Sequence, residues 1–141
     1  MTTNYGKNGV KRLTDKELDA AVAEAIGWPL INPEGTTEEP YYLTEDGGRI
    51  YVNTWSPTTK PRQFLKLMLD YRIGVMYVKE RKRWKATGCV DHSAEVTDTE
   101  YFVAYGIMPS DALCRCLIRI REAGGKSFYE KTHESLHSTD D

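Results

Sequence analysis

The chain reads as an α+β domain, an α-β-α sandwich in which three helices cover a mainly antiparallel sheet of four to five strands. Three observations predict it. Three segments carry apolar residues at helical spacing, while the runs between them are rich in β-branched and aromatic residues. Those runs come in pairs around turn-forming residues, which makes antiparallel neighbours of them. A length of 141 residues suits one domain, which at this size buries about two-thirds of its unfolded surface without help from a metal or a disulfide.

The first helix starts at a capping box, Thr14-Asp15-Lys16-Glu17, in which Thr14 holds the amide of Glu17 and Glu17 reaches back. Leu18, Ala21, Val22, Ala25 and Ile26 follow on one stripe, and Gly27 and Pro29 end it. Tyr41 to Thr44 and Arg49 to Asn53 flank Glu45-Asp46-Gly47-Gly48 and read as a hairpin. A second helix is capped at Thr58 or Thr59, with Pro61 in its first turn. Its apolar face is Phe64, Leu65, Met68 and Leu69, and it ends near Gly74. Val75 to Val78 and Trp84 to Thr87 form a second hairpin about the charged turn Glu80 to Arg83. Tyr101 to Tyr105 fits either a strand or an ordered loop. The last helix opens near Pro109 or Ser110, repeats apolar residues at Ala112, Leu113, Cys116, Leu117 and Ile120, and stops at Gly124-Gly125. Residues 1–13 are expected to be a flexible arm, 14–125 the domain, and 126–141 a flexible polar tail.

Charge and cysteine usage exclude several classes. A net charge of -2 is neither the strongly basic balance of a nucleic-acid binder nor that of an acidic DNA mimic. Three cysteines, Cys89, Cys114 and Cys116, make no disulfide framework. Cys114 and Cys116 point about 200° apart on a helix and read as small buried hydrophobes. No apolar run approaches the ~20 residues that span a bilayer, and the N-terminus has no secretory apolar region. A reducing cytosol is the expected compartment.

The arrangement resembles the phage NinX-like proteins and the wider phage ABA sandwich family. The matching pieces are Leu18 to Trp28, Trp55-Ser56-Pro57, the hairpin from Gly74 to Ala86, and Pro109 to Arg115. The resemblance runs over residues 13–123. It implies an α-β-α sandwich made inside infected bacteria, hence in the host cytoplasm, with no established enzymatic activity and no catalytic residues to carry over. Pro57, Pro61 and the chain after Lys126 depart from the family's compact pattern.

Motifs for chemistry are weak. His133-Glu134-Ser135-Leu136-His137 matches the zinc-protease pattern H-E-x-x-H, but it lies beyond a Gly-Gly break with no apolar scaffold and no third ligand, so neither metal nor cofactor is expected. Cys89, Asp91 and His92 lie close in sequence without a third orienting group. No phosphate-cradling glycine motif occurs. The candidates that remain are binding residues. Arg81, Arg83 and Trp84 lie in a basic segment from Lys79 to Lys85, where an aromatic ring could stack on a base; the alternative is a solvated turn with Trp84 packed inward. Arg115 and Arg119 share a helical face suited to clamping a phosphate or carboxylate, or to facing solvent with Arg119 paired to Glu122. Trp55, with the other tryptophans and nine tyrosines, suits a core or an interface.

The expectation is a non-enzymatic accessory protein that binds a host protein, a component of antiphage defence among the targets. A second reading is a small-ligand binder sequestering a nucleotide-like signal. A weaker third is nucleic-acid binding through the basic hairpin.

Overall fold

The computed structural model describes residues 13–93, 95–127 and 130–131. The arm over 1–12 and most of the expected tail, with His133 and His137, lie outside the described residues.

Helix α1 (Asp15–Ile26) begins at the expected capping box. The Glu17 amide donates to Thr14 Oγ1 at 3.2 Å, and the Thr14 amide donates to Glu17 Oε1 at 2.9 Å. At its other end Gly27 takes a left-handed φ of 92°, and its amide reaches the carbonyls of Ala23 and Glu24. The chain then forms β1 (Leu30–Ile31), β2 (Tyr41–Leu43) and β3 (Arg49–Tyr51). These make an antiparallel sheet in the order β1-β2-β3, with Tyr42 opposite both Leu30 and Ile50.

Helix α2 (Pro61–Tyr71) differs from expectation at its start. Its N-cap is Lys60, which makes no side-chain cap bond, because the threonine hydroxyls are engaged elsewhere. Thr58 Oγ1 donates to Asp19 Oδ2 at 3.0 Å, and the Thr59 hydroxyl lies 2.5 Å from that of Ser56. Pro61 occupies the first turn as expected, and Arg72 (φ 54°) ends the helix.

Strands β4 (Gly74–Val78), β5 (Arg83–Asp91) and β6 (Thr99–Gly106) build a second antiparallel sheet, in the order β4-β5-β6. The run at Tyr101 is thus a strand, paired along its whole length with β5. Helix α3 (Pro109–Glu122) follows. The class is α+β with three helices, but the single sheet of four to five strands is corrected to two sheets of three. The cause is local: the β2–β3 hairpin takes Leu30–Ile31 as its third strand, and α2 stands between it and β4.

Helix α3 is the centre of the molecule. It packs on β4, β5 and β6 and also on α1, so Ala112, Leu113, Cys114, Cys116, Leu117, Ile118 and Ile120 are buried around most of its circumference. Both helical cysteines are buried and free, and burial pushes the Cys116 thiol up to about 11. Close approach of α3 to the sheet depends on glycine: a Cβ on Gly88 would stand 2.4 Å from Ile120 Cδ1.

Candidate binding surfaces

Pairing register sorts the side chains of the larger sheet. Ala86, Gly88, Val90 and Ala104 face α3, and Trp84 falls on that same inner side, edge-on to Tyr77 at 5.5 Å. The opposite face presents Met76, Lys85 and Tyr105 in one row, Thr87 and Val103 in the next, then Cys89 and Tyr101. Met76 is 60% exposed and Tyr101 70% exposed. Among the described residues no helix packs on this face. The charged turn borders one end of it, where Arg81 lies over the Tyr105 ring at 4.6 Å and Arg83 stands exposed.

The arginines of α3 are tied to the protein itself. Arg115 Nε donates to Asp111 Oδ1 at 2.9 Å, and Arg119 Nη1 donates to the Val103 carbonyl at 2.6 Å. The two therefore hold different partners. Arg121 has the largest set of bonds. Its guanidinium donates to the carbonyls of Ala25 (3.0 Å), Ile26 (2.9 Å) and Gly125 (3.1 Å) and to Glu130 Oε1 (2.5 Å). No basic residue lies in the last turn of α1, so Arg121 supplies positive charge to that helix end from another element. Glu130 is held in turn by the Ser127 amide at 2.8 Å, while its own amide donates to Ser127 Oγ at 3.1 Å. That is a second capping box, readable as Ser127-x-x-Glu130.

A cleft of about 270 Å³ lies between α2 and the β2–β3 hairpin. Ile26, Trp28, Ile50, Trp55 and Leu67 give it apolar walls, and Tyr71 and Ser127 also line it. Trp28 and Trp55 meet edge to face at 4.9 Å. Each indole N–H is already used: Trp28 donates to Glu45, and Trp55 to the Asp19 carbonyl at 2.8 Å. At the rim Lys66 pairs with Asp70 at 3.0 Å, and Asp46 accepts from Thr44 and from the Gly48 amide. Those hydrogen bonds, led by Thr44, hold the Asp46 carboxyl below its usual range.

Beneath the cleft Asp19 anchors the loop before α2. Buried at 5% exposure, it accepts from Ser56 Oγ (3.2 Å), the Thr58 amide (3.0 Å) and Thr58 Oγ1 (3.0 Å). Burial outweighs these bonds and raises its carboxyl above the usual range.

The family model described as bacteriophage P22, NinX, matches residues 10–121. The chain belongs to that family. No curated protein and no solved structure matches it.

In this NinX-family chain Cys89 stands exposed on the open face of the larger sheet. Asp91 accepts from Thr99 Oγ1 at 2.7 Å, and His92 Nε2 lies 2.9 Å from Glu100 Oε1, so both are engaged by β6. Among the described residues no cluster of three or more histidine, cysteine, aspartate or glutamate side chains could hold a metal ion. None of the described helices is long and apolar enough to cross a membrane. The cleft was not legible in advance, because its lining comes from five separate segments. Asp19 did leave a signal: an acid three and four residues before Val22 and Ala23, on the stripe that α1 buries.

Proposed function

We propose that this NinX-family chain is a non-enzymatic phage accessory protein that binds a host protein in the host cytoplasm, a component of antiphage defence being one class of target. The observation that carries the reading is the uncovered face of the β4-β5-β6 sheet, with Met76 and Tyr101 exposed at 60% and 70%. Methionine, tyrosine and arginine are the residue types that interfaces favour over ordinary surface. The face sets Met76, Val103, Tyr101 and Tyr105 among the polar Lys85 and Thr87, a larger apolar and aromatic share than a solvated outer sheet face ordinarily carries.

The nucleotide-sponge reading has less support from the arginines, since Arg115 and Arg119 already hold protein acceptors. Nucleic-acid binding has less support as well. Trp84, the ring expected to stack on a base, falls on the inner side of the sheet, edge-on to Tyr77.

The test pairs capture from infected lysate with the double substitution Met76→Glu and Tyr101→Glu. The expected result is a stoichiometric host protein that copurifies with wild type and is lost with the variant, while the melting temperature is unchanged. Capture that persists at wild-type yield despite both charges overturns the assignment of this face.

A further inference from the structure

We propose that the cleft between α2 and the β2–β3 hairpin binds a small, uncharged planar heterocycle, of nucleobase or indole size, that hydrogen-bonds to the Tyr71 hydroxyl. The cleft and the open sheet face share none of their residues, so this inference stands apart from the proposed protein interface.

Size comes first. Sites for drug-sized ligands occupy roughly 300–1,000 Å³, and about 270 Å³ falls just below that range, enough for one or two fused rings. Shape comes next. The walls include two indoles whose N–H groups are both committed, so Trp28 and Trp55 offer a ligand ring surface and no donor.

Polar capacity then narrows the class. Gln63 is used at both ends, its Oε1 accepting from the Ser56 amide at 2.6 Å and its Nε2 donating to the Thr54 carbonyl at 2.9 Å. Lys66 and Asp70 are paired with each other, and Arg49 is paired with Glu38 at 2.6 Å. Tyr71 is the exception. It is 8% exposed, and its hydroxyl makes no hydrogen bond among the described residues, yet it is not sealed from solvent. Tyr71 lines the cleft, and its solvent-reached hydroxyl, which no described residue occupies, is open to a ligand's donor or acceptor.

Charge decides against an anion. The lining holds the carboxylates of Glu45, Asp46 and Asp70 against the cations of Arg49 and Lys66. A phosphate or carboxylate ligand would enter a site whose cations are already neutralised.

The test uses adenosine, guanosine, cytidine and indole as probes, with adenosine monophosphate as a charged control, by calorimetry and saturation-transfer NMR. At least one uncharged probe should bind saturably below about 5 mM, weakened about three- to tenfold by Tyr71→Phe, the worth of one net hydrogen bond. Ile50→Trp should fill the cleft and remove binding. Because that variant could disturb β3, intermolecular NOEs from the bound probe to the Trp28 and Trp55 rings of the wild-type protein give an independent reading. The proposal fails if no uncharged probe saturates, if binding ignores Tyr71→Phe, if the NOEs fall elsewhere, or if adenosine monophosphate binds tenfold tighter than adenosine.

Discussion

Buried Asp19 and half-buried Arg121 hold together parts of the chain that no β ladder joins. Asp19 collects Ser56 and Thr58 onto α1. Removing it with Asp19→Ala leaves those donors without an acceptor, and urea unfolding should show a loss of about 2 kcal/mol. Asp19→Asn keeps a carbonyl for the Thr58 amide and should cost less. Its pH dependence is the sharper measurement. Burial raises the folded carboxyl above 3.8, so the folded state keeps this proton to higher pH than the unfolded chain does. The associated stability is fully present below the unfolded value and is lost as pH rises through the folded one. The stability of wild type relative to Asp19→Asn should therefore fall as pH climbs from about 4 toward neutrality. A difference that grew instead would contradict the sign of the shift. Arg121 calls for a geometric test, because its planar fork reaches three carbonyls that a single ammonium cannot span together. Arg121→Lys should destabilise by about 2 kcal/mol despite the retained charge, read from the denaturant midpoint. Nothing local in the sequence reveals that the end of α1, 95 residues earlier in the chain, meets Arg121.

At the level of elements, helix ends and hairpins were legible wherever the signal was local. Thr14 and Glu17 fix α1 through atoms three residues apart, and Gly47, at a φ of 85°, sits in the β2–β3 turn as its sequence suggests. The start of α2 was not legible, since Thr58 was a sound cap until Asp19, far away in sequence, took its hydroxyl. Strand β1 was missed for a different reason: two residues, Leu30 and Ile31, carry no periodicity. The close packing of Gly88 and Gly125 on Ile120 was equally silent in sequence, although Gly125 reads as a helix stop. Gly88 gives Ile120 its seat, and Gly125 would bring a Cβ within 2.3 Å of Ile120 Cγ2. Gly88→Ala should force α3 away from β5 at a cost of about 1–3 kcal/mol, by overpacking and not by cavity formation. The compensating pair Gly88→Ala with Ile120→Val should recover part of that loss. Equal stability of the single and double variants would show that Ile120 is not what the new methyl meets.

Across the whole molecule, two separate sheets share one core. The buried cluster runs from Leu18 and Val22 in α1 through Tyr42 and Trp55 to Ala86, Ala104 and the length of α3. Such packing between distant elements has no local trace, so hairpin signals alone suggest one sheet, whereas the two sheets meet through the shared core. A single core predicts a single cooperative unfolding transition despite the divided sheets. Trp28 and Trp55 report on the smaller sheet's side and Trp84 on the larger sheet. In a Trp84→Phe background, fluorescence therefore follows the smaller sheet alone, while far-UV circular dichroism follows all three helices. The two curves should coincide. Leu117, fully buried in α3, should shift both by the same amount when cut to alanine, about 3 kcal/mol. A fluorescence transition that stayed in place while the dichroism midpoint fell would mean that the β1-β2-β3 side folds without α3, and that the cleft it lines is a unit independent of the open sheet face.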